Sequence, residues 1–187
     1  MKKLLAVIPF IILIIFMSCD RRTSKKEHLE QAVIEFNKNL KTIDINTYYP
    51  EYYTETKTDS IVANTFTVNI KNYTLMDTDI LVKESIKGIQ KTSEYHRVFA
   101  SDVTVAVSDK IIFNKHISTA DFEDVSASTF WQYATLEHVW VNQDQCDTKT
   151  LALGISFINP KSNAYKLYEM QIDTNGKEYI TLIEDHS

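Results

Sequence analysis

Residues able to act as nucleophiles or metal ligands are few and scattered: Cys19 and Cys146 are the only thiols, and His96, His116 and His138 fall in strand-like sequence. Histidines on different strands can converge on zinc or copper. None here has the HExxH, His-x-His or Cys-x-x-Cys spacing that sets two ligands on one face. They are read as strand-surface residues, and neither a metal nor a cofactor is expected. The "DFEDV" segment gathers Asp121, Glu123 and Asp124 without the spacing or internal glycine of an EF-hand loop. Helix capping and solvation are the roles expected of these carboxylates. There is no G-x-S-x-G elbow and no S-x-x-K pair, and three isolated glycines could hardly build a phosphate loop. No catalytic residue is nominated. Carboxylate pairs for glycoside hydrolysis carry no fixed sequence spacing, so a hydrolase acting on envelope or dietary polysaccharide or peptide stands as the alternative to a non-enzymatic role.

The thiol chemistry with a sequence context is at Cys19. Lys2 and Lys3 lead into an apolar run, Leu4 to Met17, broken only by Pro9. Its length, about 14 residues, is short of the roughly 20 that cross a bilayer core as a helix, and the charged lead-in reads as an export signal. Ser18-Cys19-Asp20 closes it in a way that resembles a bacterial lipobox, with Phe16 and Met17 departing from the usual residues. The resemblance implies a lipoprotein signal peptide over residues 1–18. Cys19 would carry a diacylglyceryl group, and the protein would sit in the cell envelope, lipid-anchored to a membrane, the outer being favoured and the inner left open, facing periplasm or cell surface. One acyl chain holds a protein marginally, whereas several hold it for practical purposes permanently. Residues 19–26 then comprise the lipidated cysteine and a polar tether carrying Arg21, Arg22, Lys25 and Lys26. Cys146 is left without a disulfide partner and is expected as a small, partly buried residue more than as a nucleophile.

Aromatic side chains suggest recognition. "TYYPEYY" sets Tyr48, Tyr49, Tyr52 and Tyr53 around Pro50, and Trp131 of "FWQY" joins Trp140 as a second group. Tyr and Trp offer flat apolar area with a polar tip, which suits an envelope protein or a glycan. The competing role is filling the core and covering a sheet edge, and solvent exposure separates the two. "DSI" places Ser60 in an acidic-hydroxyl-aliphatic triplet resembling an O-glycosylation sequon. The net charge of −5, with no basic stripe beyond the tether, argues against nucleic acid as a partner.

The elements that would position these groups are mostly strands. Leu29, Val33, Phe36 and Leu40 stripe one helix over residues 27–41, too short to stand without a packing partner. "INTYYPEYYTETKTDS" reads as an irregular connector. Beyond it, Phe66, Val68 and Ile70 alternate with polar residues, and Val103, Val105 and Val107 lead through Ser108-Asp109-Lys110 into a return strand. A helical turn followed by a strand is one reading of the stretch around Trp131, with Asp121 or Ser126 as a cap. Leu151, Leu153, Ile155 and Phe157 open a closing meander in which Asn175-Gly176 suits a type I′ turn. About eight hairpin-connected strands predict a mainly β fold, an antiparallel sandwich or strongly curved sheet with one N-terminal helix, in a single globular domain over 27–187, with α+β as the alternative.

The lipobox, "TDSIVANTFTVNIKNYTLMDTDILV", the strand-rich middle and the "MQIDTNGK" hairpin together resemble a family of small lipoproteins of gut-type Gram-negative bacteria, built on a domain of unknown function. The resemblance covers most of the chain from about Asp59 onward. It implies anchoring and antiparallel architecture, and brings no activity, ligand or catalytic residue.

Overall fold

The computed structural model describes residues 21–39, 41–122 and 129–187. Cys19 and the signal-like run lie outside these, as do Glu123, Asp124 and Ser126. The chain divides after Ile43 into an N-terminal unit and a β unit, Asp44–Ser187. In the first unit the described element is helix α1, Arg21–Asn39, which begins inside the stretch read as a tether. Leu29, Val33 and Phe36 recur along it as the spacing predicts, and their side chains are exposed.

The β unit holds nine strands among the described residues: β1 Ile43–Tyr49, β2 Glu55–Val62, β3 Phe66–Lys87, β4 Gln90–Val107, β5 Lys110–Ile117, β6 Thr135–Val141, β7 Thr150–Asn159, β8 Ala164–Asp173 and β9 Glu178–His186. A short helix, α2 Thr129–Gln132, precedes β6. One sheet has the order β1-β4-β3-β2, with β5 also paired to β4; the other runs β6-β7-β8-β9. Successive strands within each sheet pair antiparallel from β2 to β5 and from β6 to β9. The fold is thus mainly β, as the hairpin spacing implied.

Turn chemistry fixes the hairpins. Ala63-Asn64 and Ser108-Asp109 both hold two successive residues at positive φ (51° and 53°, 49° and 63°), the two-residue geometry whose twist matches the flanking strands. The β8–β9 turn departs from the expected type I′. Only Gly176 has positive φ there, at 83°, because the Asp173 carboxylate accepts from the backbone N–H groups of Asn175 and Lys177 and sets the turn itself. A Cβ on Gly176 would lie 2.0 Å from the Ile112 carbonyl oxygen, so this turn sits directly on β5.

The core forms where the two sheets face each other. Phe66, Val68 and Ile70 of β3 meet Val103 and Val105 of β4 in register, and Leu151, Leu153, Ile155 and Phe157 of β7 close over them with Met170 and Ile172 of β8. One end is plugged by aromatic rings: Phe122 packs on Phe157 and Tyr168, and Trp131 on Phe130 and Phe157. Trp131, nominated for a binding face, is 8% exposed and belongs to this plug. At the β5–β9 side the sheets are also joined by the ion pair between Lys115 Nζ and Glu178 Oε1 at 2.8 Å.

Beyond the core the β3–β4 hairpin continues as an arm. Met76, Asp77 and Thr78 have no partners between the pairs Leu75↔Val98 and Asp79↔Arg97, and pairing resumes from there to Lys87↔Gln90. Such a bulge bends the ribbon away from its sheet. The segment expected as a connector supplies the third strand of the arm: β1 lies on β4, followed by a cis Tyr49–Pro50 peptide and a bend into β2. Its Tyr and Thr content favours extended backbone once an edge is available to pair with.

Candidate functional site

Strand β6 is the edge of its sheet and lies across β4 and then β3. Thr135 Oγ1 accepts from the Phe99 backbone N–H at 2.7 Å. Further along, the Asn72 side chain accepts from Val139 N–H at 2.8 Å and donates to the Val139 carbonyl at 3.0 Å. One amide therefore does what a neighbouring strand would do, and the edge is closed where it would otherwise be left unpaired. Three adjoining cavities follow this crossing. The first, about 340 Å³, lies between Thr54–Thr58 and the β6 residues Glu137 to Trp140. The second, about 300 Å³, shares Phe99 and Glu137 with it, and the third, also about 300 Å³, shares Tyr49, His96 and Ile158 with the second. Together they make one trough between the arm and the β6–β7 edge.

Rings line it from both sides. On the arm, Tyr49 is 71% exposed, with its ring centroid 5.5 Å from that of His96, which is 6.1 Å from Phe99. On β6, His138 and Trp140 project from the same face with centroids 4.6 Å apart. Trp140 lies flat over Gly154: a Cβ there would come within 2.3 Å of two indole carbons. Glycine at that register position of β7 is what lets the ring settle on the sheet.

The six aromatic nominations thus separate. Tyr49 and Trp140 line the trough, and Tyr52 and Tyr53 are exposed on the bend that joins β1 to β2. Tyr48 faces the other way along β1, stacked on Tyr95 at 5.1 Å with the Arg97 guanidinium 4.0 Å from its ring, and so stiffens the arm. Trp131 is core. His96, Phe99, His138 and Asn72 join the site without having been nominated for it. The His-x-Trp spacing of residues 138 and 140 was the one signal that could have found a pair, since period two puts both on one strand face.

Proton chemistry finds little purchase. Glu137 sits in a bulge of β6 and accepts from Ser156 Oγ at 2.6 Å. Glu55 borders the first cavity, yet strand alternation puts its carboxylate on the opposite sheet face with Lys57 and Lys71. The Tyr53 hydroxyl, then Lys57 and Lys71, hold its pKa down at about 2, so it is an ionised acceptor and not a proton donor. Carboxylate pairing across the trough, the signature of glycoside hydrolysis, is not formed by these two residues. Elsewhere, His116 Nδ1 lies 2.8 Å from Asp102 Oδ1 with the Tyr73 hydroxyl 3.4 Å from each. This trio stands on an open strand surface, with His116 and Asp102 about half exposed. Cys146 donates to the Asn142 carbonyl at 3.1 Å and accepts from Ala152 N–H at 3.2 Å. Burial raises its thiol pKa, which disfavours the reactive thiolate.

Ser60 is half-buried on edge strand β2, on the inward face opposite Val68, while Asp59 turns outward to Asn69. Among the described residues no three His, Cys, Asp or Glu side chains gather as a metal site, and no helix is long and apolar enough to cross a membrane. No protein-family model matches the chain, and no curated protein matches it.

Proposed function

We propose that the protein is an envelope lipoprotein, held to a bilayer by an acylated Cys19, whose β unit is a non-enzymatic binding module for an envelope protein or a glycan. The observation that carries the binding role is the aromatic trough beside β6. Trp140 is seated on Gly154 and Tyr49 packs beside His96, while Glu137 is engaged by the Ser156 hydroxyl and Glu55 turns to the opposite sheet face. The anchor is supported by the order of charged lead-in, apolar run, Ser18 and Cys19 in the sequence.

Two experiments test the two halves. In a Gram-negative host the full chain is expected to incorporate a palmitate analogue and to fractionate with membranes, and Cys19→Ala is expected to abolish both. A variant that stays fully membrane-bound contradicts the anchor. For the module, a photo-crosslinking residue at Tyr49 is expected to capture an envelope molecule that the same residue at Asp109, on the β4–β5 turn, does not. Equal capture at both positions contradicts a site in the trough.

A further inference from the structure

We infer that the trough takes a neutral, hydroxyl-rich glycan chain, an assignment that rests on the reading of the trough as a binding site and narrows it to one ligand class. Charge makes the first selection. Among the described lining residues the acidic side chains turned to the trough are those of Glu94 and Glu137, and no Lys or Arg lines any of the three cavities. A uronate, sulfated glycan or nucleic acid would meet like charge without a compensating cation.

Geometry makes the second selection. A peptide adding itself as a strand needs free backbone N–H and C=O groups, and at β6 those of Val139 are already bonded to Asn72. What remains open is ring area and hydrogen-bonding tips. Trp140 lies flat on the sheet over Gly154, and Tyr49 stands exposed on the opposite flank. Aromatic faces carry negative potential and accept the polarised C–H face of a sugar ring. Beside them, Glu137, His138, Thr56 and Thr58 offer acceptors and donors for hydroxyl groups. Each compartment is of small-ligand size and shares lining residues with the next, so a chain of several sugar units fits the outline better than a single one.

The test titrates the full chain, in detergent, with neutral hexasaccharides of α-1,4-, β-1,4- and β-1,3-linked glucose and α-1,6-linked mannose, with oligogalacturonate and hexalysine as charged comparators. Tryptophan emission reports the trough through Trp140, and calorimetry gives an independent reading. At least one neutral hexasaccharide is expected to bind, with little dependence on salt. Tyr49→Ala, at a side chain 71% exposed, is expected to weaken it by about tenfold or more, and Trp140→Ala is expected to remove the fluorescence response. No binding by any neutral saccharide at millimolar concentration overturns the glycan assignment, as does tighter binding of oligogalacturonate or hexalysine, or affinity unchanged in Tyr49→Ala. The crosslink at Tyr49 separates the two levels: its persistence without saccharide binding leaves a binding site for another class of molecule, and its loss as well removes the site.

Discussion

The two halves of the β3–β4 hairpin are one continuous ribbon with opposite roles. From Phe66 to Ile70 the inward residues are almost completely buried, paired with Val103 to Val107 and covered by the second sheet. Past the bulge at Met76–Thr78, buried side chains dwindle to Ile80 and Ser93, and the ribbon is flanked by β1 alone. Strand length says nothing about stability here. The covered half holds the fold through apolar burial, and the arm, with few buried contacts of its own, is free to present Tyr49 and His96 to a ligand.

Breaking the covered half has the largest expected effect. Phe157→Ala removes a fully buried ring at the centre of the aromatic plug and is expected to destabilise by about 3–5 kcal/mol in urea unfolding. The same truncation at Ile86, 66% exposed near the arm's tip, is expected to change stability by no more than about 0.5 kcal/mol. Similar losses at both sites would erase the distinction. Next is the junction between the halves. Asn72→Ala strips both hydrogen bonds from Val139 and is expected to cost about 2–3 kcal/mol, because partly buried backbone groups are left unpaired. Asn72→Asp retains an acceptor for Val139 N–H but sets a charge against the Val139 carbonyl, and is expected to be no milder than Ala. Gly154→Ala then drives the Trp140 ring off its seat at an expected cost of about 1–3 kcal/mol, with a change in near-ultraviolet circular dichroism from the displaced indole.

The smallest effect is electrostatic. Lys166 and the backbone and side chain near Ser187 hold the Asp185 carboxyl at about 2, and Glu55 is held at about 2 by Tyr53, Lys57 and Lys71. Lowered folded-state values mean that their stabilisation is present above the ordinary values of 3.8 and 4.5 and is lost as pH falls toward 2. Both groups are on the surface, so salt is expected to shrink the effect. Urea midpoints are expected to fall over that window, and Lys166→Met is expected to make the fall shallower. A slope unchanged in Lys166→Met removes Asp185 from the account.

Period-two patterning made the covered half legible: Phe66, Val68 and Ile70, and Leu151 through Phe157, alternate because one face meets the other sheet. The arm is not legible as one element, because a ribbon with only Ile80 and Ser93 buried past the bulge has little reason to alternate along its length, although it belongs to a 22-residue strand. β1 was missed for the same reason: "INTYYPEYY" carries strand propensity without an apolar period. In the site, Tyr49 and Trp140 are found by residue type, whereas Trp131 takes the competing role of filling the core, because the sequence does not say which tryptophan faces inward. Asn72 left no local signal, since its partner Val139 lies 67 positions away.

Native-state hydrogen exchange tests the division of roles most directly, because it reads the free energy of opening strand by strand. Amides of β7 and of β3 from Phe66 to Ile70 are expected to exchange through global unfolding, those of Ile80 to Lys87 and Gln90 to Arg97 through much cheaper local opening, and saturating saccharide is expected to slow the second group alone. Equal protection in both halves, or ligand protection confined to the sandwich, would contradict the account.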